Sequence, residues 1–310
     1  MTAKKIIPIF YAADENYLPY MAVSVCSLKE KASKAYKYQI YVLHAGMNEE
    51  SENAKKLCKY EDEDFRFTFV DVSKQMQEVK NSLQLRDYYT CATYYRIFIA
   101  NMFPQYEKAV YLDSDTVLLG DVSELYNVEL GENLLGAVPD GAVASVEPFK
   151  RYTKEVLGIE SKNYFNAGVL VMNLQAFRDS HFYENFCALL KVYKFSVAQD
   201  QDYLNVLCKN RVAFLGAEWN TMPIEGYGKQ PKLIHYNLTM KPWHYENVLY
   251  KEYFWQYAQK TEFFSHIVGA LHAYSQTKKD ADAASEKALI ALCIKEAERE
   301  DNYWKKFGKY

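Results

Sequence analysis

No stretch of the 310-residue chain approaches the roughly eighteen apolar residues needed to cross a membrane. The N-terminal run Ile6 to Ala13 follows Lys4 and Lys5 like a signal peptide, but it is short, contains Pro8 and meets Asp14 at once. It reads as a first buried strand. The six cysteines form no Cys-x-x-Cys pair, which argues against a zinc finger or a redox motif and for reduced thiols in a cytoplasmic protein. Positive charge is not in excess: 37 Lys and Arg stand against 40 Asp and Glu. A general nucleic-acid binder is therefore not expected. There is no internal repeat and no low-complexity tract.

Aromatic residues are abundant, with 28 Tyr, 17 Phe and 4 Trp. Strands are expected at Ile6–Ala12, Tyr38–His44, Phe65–Asp71, Ala109–Leu112, Leu134–Val138, Gly168–Met172, Val212–Leu215 and Lys232–Tyr236. Helical patterns fall at Met21–Lys29, Thr93–Asn101, His181–Tyr193 and Asp202–Cys208. This alternation indicates an α/β domain with a largely parallel sheet. Beyond Ser275 the chain turns rich in Ala, Glu and Lys, and a further helix is expected over Asp280–Arg299. The last residues mix Trp304 and Phe307 with Lys305, Lys306 and Lys309, a pattern that also suits peripheral membrane contact.

Asp113-Ser114-Asp115 follows an apolar strand directly. Two carboxylates at i and i+2 on extended backbone point the same way, and open α/β sheets bind ligands at the carboxyl ends of their strands. Hard oxygens in that position suit Mg²⁺ or Mn²⁺. Asp113 and Asp115 can also be read as turn-capping and solvated residues. His235 could add a third ligand and Lys241 a counter-charge for a diphosphate. Around them lie Ala12, Asp14, Asn16 and Tyr17 at the end of the first strand, Asn166 at the start of another, and Asp200 and Gln201 opening a helix.

In order, the segments Ala-Ala-Asp-Glu-Asn-Tyr, Tyr-Leu-Asp-Ser-Asp-Thr, Phe-Asn-Ala-Gly-Val-Leu, Asp-Gln-Asp-Tyr-Leu-Asn and His-Tyr…Lys-Pro-Trp-His resemble glycosyltransferase family 8 over residues 6 to 260. That family includes bacterial lipopolysaccharide glucosyl- and galactosyltransferases. The resemblance implies a GT-A fold, a Rossmann-like mixed and mostly parallel sheet flanked by helices, over residues 1–265, with a C-terminal helical extension over 266–310. It implies retaining transfer of glucose or galactose from a UDP-sugar donor to a glycan or glycolipid acceptor, dependent on Mn²⁺ or Mg²⁺, in the cytoplasm or at the inner face of the membrane. Carried over by residue, the metal ligands are Asp113, Asp115 and His235. The donor site is Ala12, Asp14, Asn16, Tyr17, Arg96, Asp113, Ser114, Asn166 and Lys241. Asn166, Asp200 and Gln201 match positions that hold the donor sugar, with Gln201 nearest the anomeric carbon; same-face attack by the acceptor hydroxyl is the favoured mechanism and double displacement through Asp200 the alternative. The acceptor is expected near Pro139–Pro148 and the stretch Asp87–Tyr95.

One departure concerns the phosphate loop, where many members have Gly three residues after the metal-binding His and this chain has Leu238. Two other readings use the same residues. Tyr-Leu-Asp-Ser-Asp-Thr-Val-Leu also fits the first motif of haloacid-dehalogenase-like phosphatases, with Asp113 as nucleophile, but that motif normally sits on the opening strand and its later acidic motif does not follow here. A non-catalytic UDP-sugar-binding protein would share the motifs without turnover.

Overall fold

A computed structural model describes residues 4–79 and 91–308. Nine strands lie among them: β1 (Lys5–Ala12), β2 (Tyr36–His44), β3 (Phe65–Asp71), β4 (Lys108–Leu112), β5 (Thr116–Leu118), β6 (Leu135–Pro139), β7 (Phe165–Asn173), β8 (Val212–Phe214) and β9 (Leu233–His235). Seven form one sheet in the order β3-β2-β1-β4-β7-β6-β8. Its neighbours pair in parallel except around β7, which runs antiparallel to both β4 and β6. The expected mixed, mostly parallel sheet is therefore what forms.

The central strands are apolar almost without interruption because both of their faces are covered. Phe10, Tyr111, Ala137 and Leu170 point into one core, while Ile9, Tyr11, Val110, Val138 and Val169 point into the other. The first core is capped by helices Glu147–Glu155, Phe182–Val192 and Asp200–Leu207, and the second by helices Leu18–Lys31 and Lys251–Ala258. Cys293 and Ala297 of the terminal helix, Gln276–Glu298, join the first core.

Two details of this topology build the site. The reversed direction of β7 brings its first residues to the edge where β1, β4 and β6 end, and the Asp113 amide donates to the Gly168 carbonyl there at 2.7 Å. A second, two-stranded sheet pairs β5 with β9 antiparallel, placing Thr116 opposite His235. His235 thus returns beside the Asp113–Asp115 turn from 120 residues downstream.

The structure differs locally from the sequence expectations. The segment Thr93–Asn101 is a 3₁₀ helix, Cys91–Phe98, that passes into a single α-helical turn, Ile99–Met102. The helix expected from Asp202 begins at Asp200, and the terminal helix starts at Gln276. The stretch Pro139–Pro148 is largely ordered: Asp140 caps the short helix Gly141–Ser145 by accepting from the Ala142 and Val143 amides. Of Asp87–Tyr95, the part before Cys91 lies outside the described residues, while Tyr94 and Tyr95 are core side chains. No described helix is long and apolar enough to cross a membrane.

Candidate active site

A cleft of about 430 Å³ opens at this strand edge. Ala12, Asp14, Tyr17, Arg96, Asp113, Ser114, Asp115, Asn166, Asp200, Gln201, His235 and Lys241 all line it. Asn16 does not. Its side chain is exposed on the turn before helix Leu18–Lys31, where the Asp14 carboxylate accepts from the Tyr17 amide and holds the turn closed.

Ligand atoms of Asp113, Asp115 and His235 lie within 4.8 Å of one another. The state of the His235 ring follows from a chain of hydrogen bonds that starts at the backbone. The Gly168 amide can only donate, so the Asn166 atom it meets at 2.9 Å is the carbonyl Oδ1. That oxygen also accepts at 3.0 Å from Asn220, fixing the contacting atom as Nδ2 and turning Asn220 Oδ1 toward His235 Nδ1, 3.0 Å away. Nδ1 then carries a ring proton, and Nε2 faces Asp115 Oδ1 at 3.2 Å and Asp113 Oδ2 at 3.6 Å. Asp115 Oδ1 is buried with no hydrogen-bond partner. Two carboxylates and an imidazole converging in this way could hold a hard divalent cation, with Asn220 as the partner that orients the histidine.

Gly168 makes the convergence sterically feasible. A Cβ there would lie 2.2 Å from His235 Cε1 and 2.7 Å from Asp113 Oδ2, so no side chain fits beneath the cluster.

Positive charge surrounds the carboxylates. Buried Lys241 donates to Asp115 and, at 2.6 Å, to the Tyr236 carbonyl. Burial opposes ionisation of Asp115, but Lys241 and His235 outweigh it and hold the carboxyl well below the usual range. Arg96, 3% exposed, lies against the Tyr111 ring, reaches Asp113 at 3.4 Å and Asp200 at 3.1 Å, and donates to the Ala167 carbonyl. Burial works against its charge, yet Asp113, Tyr111 and Asp200 raise its pKa. Burial also pushes Asp200 up to about 6 against the pull of Arg96. His244, at the cleft wall, is driven down to about 4 by burial and by Lys241, and is neutral at pH 7.

The amide of Gln201 is fully engaged. Its Oε1 accepts from the Ala167 amide at 2.9 Å, and its Nε2 donates at 3.2 Å to both Asp140 and the Tyr164 hydroxyl. Asp140 and Asn220 had not been singled out from the sequence. Asp140 follows the strand-terminal Pro139 as Asp113 follows Leu112, and that placement was the available signal. Asn220 sits after a 3₁₀ turn with no local pattern to mark it. Asp202, beneath the cleft, accepts from Tyr152, Tyr164 and the Ala198 amide, and burial still raises its pKa to about 6.

The family model described as glycosyl transferase family 8 matches residues 8–247. The chain belongs to that family. The family 8 protein is 26% identical over 265 residues to a lipopolysaccharide 1,2-glucosyltransferase of Escherichia coli K12, covering 79% of this chain and 75% of the relative. Among solved structures it is similar to WbbM, a bifunctional glycosyltransferase, with TM-score 0.76 and 25% identity over 88% of this chain and 53% of that one. It is also similar to the galactosyltransferase LgtC in complex with donor and acceptor sugar analogs, with TM-score 0.66 and 26% identity over 83% and 96%. The chain thus spans about half of WbbM, and 64% of a Haemophilus influenzae relative 28% identical to it. The fold is the GT-A fold of these glycosyltransferases. Family membership displaces the phosphatase reading of the Asp113 motif.

Proposed function

We propose that this family 8 protein is a retaining hexosyltransferase that moves glucose or galactose from a UDP-sugar to a hydroxyl of a glycan or glycolipid acceptor. The observation that carries the reading is the convergence of Asp113, Asp115 and His235 over Gly168, with Lys241 alongside, at the sheet edge. Asp113, Asp115 and His235 would hold Mn²⁺ or Mg²⁺. The bound ion supplies neutralisation of the diphosphate and of the charge that grows on the leaving oxygen.

The chain's own residues do the rest. Tyr17, half-buried at the cleft wall, offers its ring to the base. Lys241 is placed to exchange part of its pairing with Asp115 for donor phosphate, adding a preorganised positive charge. The sugar then lies over Asn166, Asp200 and Gln201. Gln201 is a poor nucleophile, and Asp200 is held by the Arg96 guanidinium, which lowers its nucleophilicity. This favours attack of the acceptor hydroxyl on the face from which UDP leaves, with the leaving phosphate oxygen taking the proton. Ala142 and Val143 on the short helix after Asp140, together with Ala92 and Thr93, line the cleft where the acceptor is expected. Residues 1–265 form the catalytic unit in this reading and 266–310 its helical extension. The exposed Trp304, Lys305, Lys306 and Phe307 supply peripheral contact with the inner face of the membrane.

A panel of UDP-sugars with and without Mn²⁺ tests the reading. The expected result is metal-dependent release of UDP from UDP-glucose or UDP-galactose. UDP binding without turnover on any donor would contradict it and support a binding protein.

A further inference from the structure

The terminal helix, Gln276–Glu298, reaches the cleft at one residue and is tied to its wall through another. Leu289 lines it, and seven residues earlier on the same helical face Asp282 is buried. One carboxylate oxygen of Asp282 accepts from two tyrosine hydroxyls, Tyr245 at 2.6 Å and Tyr274 at 2.7 Å. The Tyr274 ring stacks on His244, with centroids 3.9 Å apart and planes 9° from parallel. Lys278 and Lys279, on the helix's first turns, stand over the Tyr274 and Tyr245 rings at 5.5 and 5.7 Å.

His244 and Tyr245 belong to the turn that carries Lys241. Their amides donate to the Lys241 carbonyl at 2.9 and 3.0 Å. On its other side the turn is held by Trp243, which stacks on Tyr20 at 4.1 Å. The turn that presents the ammonium to Asp115 is therefore gripped between helix Leu18–Lys31 and helix Gln276–Glu298. Without Asp282, two hydroxyls lose their shared acceptor and Tyr274 loses the anchor that sets it on His244.

We infer that Asp282 is a positioning residue for Lys241, so that the C-terminal extension completes the donor-phosphate end of the cleft. This rests on the UDP-sugar reading above. It assigns the extension a role in donor binding separate from any membrane contact.

A double-mutant cycle tests it, reading the dissociation constant of UDP by calorimetry in the presence of Mn²⁺. Asp282→Ala is expected to weaken UDP about tenfold when Lys241 is present and less than twofold when Lys241→Met is already in place. Asp282→Asn, which keeps an acceptor oxygen, is expected to recover most of the loss. If Asp282→Ala does not fold, Tyr274→Phe carries the same cycle, with a loss of about threefold that vanishes beside Lys241→Met. Equal weakening in both backgrounds, or none in either, overturns the inference. Absence of Mn²⁺-dependent UDP binding by the unaltered protein would instead overturn the UDP-sugar reading itself.

Discussion

At the scale of single residues the proposed cation site depends on groups that support a pair of aspartates. The aspartates were legible in the sequence because carboxylates at i and i+2 after an apolar strand share a face. Their supporting partners were not. Asn220 acts through a bond relayed from Gly168 by Asn166, and those two residues are 54 positions from it or nearly so, with no local pattern linking them. Asn220→Leu removes the acceptor that keeps the His235 proton on Nδ1. It is expected to weaken Mn²⁺ binding about 10- to 100-fold, the usual consequence of losing such a partner. Titration of Mn²⁺ followed by calorimetry measures this, and an unchanged affinity would refute the relay. Asn16, which the motif assigns to the donor site, has its side chain exposed on the turn before the first helix and does not line the cleft.

At the scale of elements most strands were readable, since buried strands are continuous apolar runs bounded by polar breaks. The 3₁₀ character of Cys91–Phe98 was not, because the same residues fit an α-helical spacing and burial of Tyr94, Arg96 and Ile97 decides their geometry. The pairing of β5 with β9 was also unreadable, as three-residue strands leave almost no periodicity. The departure at Leu238 becomes intelligible here. Its φ is +52°, so the loop retains the left-handed backbone that a glycine would supply freely. Leu238 carries about 1–2 kcal/mol of left-handed strain. Leu238→Gly relieves it and loosens the unfolded chain by a similar amount, so unfolding free energy should change by less than about 1 kcal/mol. Leu238→Val, β-branched, should lose more than about 1 kcal/mol. Denaturant unfolding of both variants distinguishes them, and a valine variant as stable as the parent would contradict the strain assignment.

At the scale of the whole molecule, burial beneath the cleft leaves a titratable group that links stability to pH. Folded Asp202 keeps its proton up to about pH 6, whereas the unfolded residue releases it near 3.8. The folded state binds more protons between those values, so this contribution to stability is present below pH 4 and is lost as pH rises through 6. The difference amounts to about 3 kcal/mol. Asp202→Asn should flatten the stability profile over that window, and equal slopes in the two proteins would contradict the assignment. The near-neutral overall charge, which from composition alone argued against anionic partners, is compatible with the proposed anionic donor because Lys241, Arg96 and a dication held by Asp113, Asp115 and His235 would act locally. The most direct test of the account compares UDP release from UDP-glucose and UDP-galactose by the unaltered protein and by Asp115→Ala, each with and without Mn²⁺. The account predicts turnover only with the unaltered protein and Mn²⁺, falling at least about a hundredfold in Asp115→Ala. Equal turnover by the two proteins, or turnover indifferent to Mn²⁺, would contradict it.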